Sequence, residues 1–258
     1  MSGLLLSAEN IYCGYGKNDV IQGISLEPKK GELLSAAGVN GCGKTTLLRA
    51  LCGIIPLTSG RITLMGDDLK ALKRKEIARR IALFSQTGAS SGYDGYTVSQ
   101  TVMLGRYSVL KGGPLTPPSE EDREFVRICM ERTGVYELSE KRIDELSGGQ
   151  LQRVMLARTF AQDTDIILLD EPSNHLDLKR SCELAELIRE WLKDGHSAVG
   201  IFHDLAMAAY VSDRMMIIDN GKCTGTGSPR EMISGNEINC AYGFDVHKYL
   251  MDMYNKLK

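Results

Sequence analysis

Two hydrophobic periods share this chain. In the first third, short apolar runs alternate with glycine and charged punctuation: DVIQGISLE, ELLSAAGV and GRITLMG. Runs of that length, bounded by turn residues, predict strands. A helical stretch, KTTLLRALCGI, breaks into them, and a second helical zone extends from about Thr97 to Thr133. Within that zone, KGGPLTPPSE holds three of the seven prolines and predicts a surface loop. Ser119 then opens a further helix, with Glu120, Glu121 and Asp122 in the turn where the helix dipole favours acids. From Ser147 onward the order is helix, strand DIILLD, helix LKRSCELAELIREWL, strand SAVGIFH, helix DLAMAAYV, strand RMMIID.

Alternation of strand and helix predicts an α/β core around a parallel sheet. The glycine-rich first third predicts an antiparallel β lobe beside it. A helical subdomain at about 87–160 and a short extension at about 230–258 complete a single domain. Leu184, Leu187, Ile188, Trp191 and Leu192 recur at helical spacing and belong to a core face. Met103, Met130 and Met155 read as gap-filling core side chains. His196 follows a glycine turn and is expected in solvent.

Composition narrows the class. The 258 residues are 43% hydrophobic and 25% charged, as in a globular protein with a sizeable core. A net charge of -2 argues against a general affinity for nucleic acid or acidic membranes. No apolar run reaches the roughly 20 residues that span a bilayer, and MSGLLLSAEN lacks the features of a signal peptide. The seven cysteines form no C-x-x-C pair and the four histidines do not cluster with them. Reduced thiols without a metal framework are the expectation.

Chemistry concentrates in four places. GVNGCGKTT, Gly38 to Thr46, fits G-x-x-x-x-G-K-[ST] between a predicted strand and a predicted helix. Its glycines let backbone amides wrap a polyphosphate. Lys44 would reach the β- and γ-phosphates, Thr45 would ligate Mg²⁺, and Thr46 would support the α-phosphate. This loop resembles that of P-loop NTPases, and the resemblance implies their RecA-like core. Cys42 lies within the loop, beside Lys44 and a helix N-terminus, which predicts a lowered thiol pKa and alkylation that bound ATP prevents. IILLDEP ends an apolar strand with two acids, which successive strand positions aim apart. Asp170 is then the candidate for holding Mg²⁺ through water, and Glu171 the candidate for activating the attacking water. Gln86 and His203 each end a further apolar strand, so four polar side chains converge where open α/β sheets bind ligands.

The fourth place, ELSGGQLQR, has no reactive group. Ser147 and Gln150 form a capping box that starts a helix, yet two glycines strain a purely structural reading. A helix start with bare amides is also an anion site.

In order and spacing, these motifs resemble the ATP-binding subunits of ABC transporters, over about Leu5 to Tyr242. GVNGCGKTT resembles the Walker A motif, Gln86 the Q-loop, LSGGQ the ABC signature, and IILLDE the Walker B motif. NHLD, Asn174 to Asp177, resembles the D-loop, and His203 the switch histidine. The resemblance implies ATP and Mg²⁺ as cofactors. Phosphate contacts would come from Gly38, Asn40, Gly41, Cys42, Gly43, Lys44, Thr45 and Thr46. Tyr15 would stack on adenine, with Tyr12 as the alternative. Catalysis would fall to Glu171, His203, Lys44 and Gln86, and the metal to Thr45, Gln86 and Asp170. It further implies a head-to-tail homodimer in which Ser147, Gly148, Gly149, Gln150 and Asp177 serve the partner's ATP.

Local wording is similar to the iron-siderophore, haem and vitamin B12 importer branch: RRIALFSQ, TVSQTVMLGRY, HDLAMAAYVSDRMMIIDNGK and GSPREM. Gln100 stands where that family often has an acid. The implied partners are polytopic membrane permease subunits at the cytoplasmic face of the membrane, with an extracytoplasmic binding protein acting through them. A soluble scaffold ATPase of the iron-sulfur assembly type and an exporter ATPase are the alternatives. An appended regulatory β-domain, a second cassette and a long coiled coil are not expected.

Overall fold

The structure is a computed structural model that describes residues 5–16, 18–85, 92–93, 95–110, 116–174 and 176–256. In its first half, β1 (Leu6–Tyr15), β2 (Asn18–Leu26) and β3 (Leu33–Ala37) precede α1 (Lys44–Leu51). Then follow β4 (Leu57–Leu64), β5 (Asp67–Asp68), α2 (Arg74–Ala78) and β6 (Ile81–Ser85). Three helices come next: α3 (Val98–Met103), α4 (Glu120–Arg132) and α5 (Gly148–Ala161). The second half alternates as β7 (Ile166–Asp170), α6 (Leu178–Lys193), β8 (Ser197–Ile201), α7 (Leu205–Val211) and β9 (Arg214–Asp219). It closes with β10 (Lys222–Gly227), α8 (Pro229–Ser234), α9 (Asn236–Tyr242) and α10 (Val246–Lys256).

Two sheets result. One is antiparallel, in the order β2-β1-β4-β5. The other has six strands in the order β10-β9-β3-β8-β7-β6, all parallel except for the β10 edge. β3, β7 and β8 are buried along their whole length, as strands covered on both faces must be. Strand parity sorts the core. Ile166 and Leu168 pack with α1 and the antiparallel lobe, whereas Ile167 and Leu169 pack toward α5 and α6.

The expected α/β core and antiparallel lobe are both present. Helices α3, α4 and α5 pack on one another within the predicted helical region. Each starts from a capping box: Thr97 with Gln100, Ser119 with Asp122, and Ser147 with Gln150. Gln100 therefore has a structural task, accepting from the Thr97 amide at 2.9 Å. Arg106 ties the helices to one another, pairing with Asp122 of α4 at 2.9 Å and donating to the Ala161 carbonyl at the end of α5 at 3.1 Å.

Trp191 is buried as predicted, stacked on Phe160 with ring centroids 4.2 Å apart. His196 corrects an expectation. It is half-buried, stacks on the other face of Trp191 at 4.4 Å, and its Nδ1 lies 2.8 Å from the Thr164 carbonyl. The indole face and the Thr164 carbonyl together give the imidazole better partners than water does. Among the described residues, no helix is long and apolar enough to cross a membrane.

Candidate nucleotide site

The carboxyl ends of β3, β7 and β8 lie side by side, and the residues that follow them share one edge of the sheet. After β3 the chain turns through Gly38 to Gly43 into α1. Gly43 is the N-cap of α1 with φ 110, a conformation that favours glycine. A side chain there would also press on Ile21 at 2.8 Å. The helix has no side-chain cap and no acid in its first turn. Its start therefore offers backbone amides to an anion.

Lys44 is buried, and its Nζ donates to the carbonyls of Gly38 at 2.7 Å and Val39 at 2.9 Å. These bonds fold the ammonium back over the loop. Thr45, one residue on, donates from Oγ1 to Asp170 Oδ1 at 3.1 Å. Strand parity explains the meeting, because Asp170 continues the Ile166 and Leu168 face toward α1. Burial pushes the Asp170 carboxyl above its usual range. The Thr45 hydrogen bond pulls it down, neighbouring Glu171 adds to the rise, and Arg49 and Lys44 oppose it. Thr46 is buried beside these groups, whereas Asn40 and Gly41 are exposed at the loop's rim.

Glu171 departs from the strand. Its φ is 52, left-handed and unusual for a residue with a side chain. Its amide donates to the Ile201 carbonyl at 3.0 Å, and its Oε2 accepts from Asn174 Nδ2 at 2.9 Å. Two fixed bonds thus hold a conformation that costs about 1–2 kcal/mol on its own. The strain is local to the carboxylate beside the phosphate loop.

His203 follows β8 and is exposed, lining a cavity of about 500 Å³ with Asn174, Leu176, Cys182, Met207 and Tyr210. Tyr15 is 56% exposed at the end of β1 and accepts from Arg49 Nη1 at 3.2 Å. Tyr12 is half-buried within β1. Gln86 lies outside the described residues. The signature segment starts α5, where Ser147 Oγ accepts from the Gln150 amide at 3.4 Å and Gln150 Oε1 from the Ser147 amide at 3.0 Å. Ser147 and Gly148 are exposed, and Gly149 and Gln150 half-buried. Asp177 caps α6, accepting from the Arg180 amide at 2.9 Å.

One expectation is overturned. Cys42 is 5% exposed, and burial raises its thiol pKa above the usual value despite Lys44 and the local backbone. Position beside a cation and a helix start is outweighed by loss of water.

Three side chains escaped the sequence reading. Gln152, buried in α5, donates from Nε2 to the Pro172 carbonyl and so ties the signature helix to the Glu171 segment. Tyr242 of α9 stands beside Gly38 and Cys42, and burial raises its phenol pKa. Arg180 in α6 lies against Gly149. Gln152 follows the signature by two residues and carried a weak signal as a polar position in an apolar helix. The others carried none.

The profile of the ABC transporter family matches residues 21–174, more than half of the chain. The ferric enterobactin transport ATP-binding protein FepC of Escherichia coli is 36% identical over 92% of this chain and 87% of its own length. An uncharacterised ABC transporter ATP-binding protein of Bacillus subtilis, YvrA, is 38% identical over 93% of this chain, which spans 54% of that relative. A nucleotide-free ATP-binding cassette from an ABC transporter superposes with a TM-score of 0.83 at 22% identity, covering 93% of this chain and 98% of the other. The chain belongs to the ABC transporter family, as one of its ATP-binding cassettes with ATPase chemistry.

Proposed function

We propose that this chain is the ATP-hydrolysing subunit of an importer that carries an iron-siderophore, haem or cobalamin through a membrane permease. The observation that carries the reading is the Thr45 hydroxyl 3.1 Å from the buried Asp170 carboxylate, with Glu171 held next to it. The siderophore branch is supported by the similarity to a ferric enterobactin transport ATP-binding protein.

In this reading Lys44 leaves the loop carbonyls for the β- and γ-phosphates. The amides of Gly38, Asn40, Gly41, Cys42 and Gly43 wrap them, and Thr46 supports the α-phosphate. Tyr15 stacks on adenine. A hydroxyl and a desolvated carboxylate are hard oxygen donors that suit Mg²⁺. Thr45 and Asp170 would hold it with phosphate oxygens and water, and Gln86 would be a further ligand. The ion would neutralise charge on the phosphates. Glu171 takes a proton from the attacking water, and His203 contacts the γ-phosphate.

Two copies close head to tail. Ser147, Gly148, Gly149, Gln150 and the start of α5 then face the γ-phosphate of the partner's ATP, with Asp177 at the same seam. Closure on binding and opening on hydrolysis convert phosphate chemistry into motion of the permease. The chain acts as one ATPase unit, with a helical subdomain at about 87–160 and an extension at about 230–258. It sits peripherally on the cytoplasmic face of the membrane and reaches an extracytoplasmic binding protein only through the permease.

Light scattering of the Glu171→Gln variant tests the site assignment. It should be monomeric alone and dimeric with ATP and Mg²⁺. A monomer at saturating nucleotide overturns the reading.

A further inference from the structure

The two signature glycines face different surroundings. A side chain built on Gly148 meets no atom within 4 Å. One built on Gly149 collides with Arg180 Nη1 and lies 3.2 Å from its Cζ. Gly149 therefore leaves room for a planar cation from the first turn of α6, laid beside the backbone at the start of α5.

Among the described residues, little neutralises that cation. Its acid partner is Asp177, at 3.6 Å from Nε, with the two side chains 46% and 65% exposed. A pair so open and so long contributes little. Glu183, the next acid on this face of α6, is bridged by Arg153 and approached by Lys179 at 4.0 Å. Positive charge at the α5 start has the same sign as the helix dipole there, and so adds to any anion it attracts.

We propose that Arg180 is a phosphate-binding residue of the composite site, adding a guanidinium to the signature edge that holds the γ-phosphate of the partner's ATP. This rests on the head-to-tail reading above. The guanidinium fork matches two phosphate oxygens at once, which an ammonium cannot do. Gly148 keeps the approach open, while Gly149 keeps the arginine in place.

The experiment uses Glu171→Gln as parent and measures the ATP concentration that half-saturates dimer formation by light scattering. Adding Arg180→Gln should raise it about fivefold or more, since each dimer makes the contact twice. ADP binding to the monomer, which uses the chain's own phosphate loop, should move by less than about twofold. Gly149→Ala, which evicts the guanidinium, should cost less in the Arg180→Gln background than in the parent, because the two changes remove one interaction. Dimerisation of Arg180→Gln within about twofold of the parent overturns the proposal. Equal loss of monomer ADP binding, or strictly additive penalties, also overturns it. A parent that stays monomeric overturns the head-to-tail reading, and this inference with it.

Discussion

Gln152→Met isolates the link between the signature helix and the Glu171 segment. The methionine keeps the length and most of the volume of the glutamine, so packing in α5 is little changed. The change removes the donor to the Pro172 carbonyl, in a place where both residues are buried. Leaving that carbonyl unpaired costs about 1–3 kcal/mol. A chemical-denaturation curve should show this as a lower midpoint at unchanged slope. Function should suffer more than stability. Pro172 directly follows Glu171, whose left-handed backbone depends on its bonds to Ile201 and Asn174. A displacement of about 1 Å at a catalytic group can lower a rate about a hundredfold. Basal ATPase kcat is therefore expected to fall about tenfold or more with a much smaller change in KM. Unchanged stability together with kcat within about twofold of the parent would refute the link.

Asp170→Asn should separate stability from activity. Because burial raises the Asp170 carboxyl, the folded chain binds its proton more tightly than the unfolded chain does. Its ionised form thus opposes folding near neutral pH, and the amide should raise Tm there by roughly 1–3 °C while ATPase activity is lost. The gain should shrink as pH falls through the raised value and vanish below the usual 3.8, and a gain that grows with acid would contradict the argument. Thiol labelling checks the Cys42 correction. At neutral pH a maleimide should modify exposed Cys240 at least about tenfold faster than buried Cys42, as read by peptide mass, and the reverse order would restore the activated-thiol reading.

Much of the fold was legible because its signals are local. The all-buried strands β7 and β8 are continuous apolar runs, and the capping boxes at Ser147 and Ser119 mark helix starts by residue type. β1 was harder to read. Its pairing shifts register between Ala8 and Ile11, and Asn10 has φ 48, so the apolar alternation changes phase midway. β10, KCTGTG, is an edge strand with no apolar alternation to detect. The phosphate loop is one contiguous segment and the acids at the end of β7 are another, and so each was found. Gln152, Arg180 and Tyr242 act across the fold, on partners 20 or more residues away in sequence, and residue type alone does not announce them. Cys42 and His196 were misjudged for one reason: neighbours in sequence said nothing of how much water the fold removes.

The most direct test of the account is an affinity pull-down of the Glu171→Gln chain from mild-detergent membranes with ATP, read by mass spectrometry. The account predicts a co-purifying polytopic permease, whose loss then abolishes uptake of a siderophore, haem or cobalamin. Only soluble partners, from a preparation that demonstrably solubilised permeases, would contradict it.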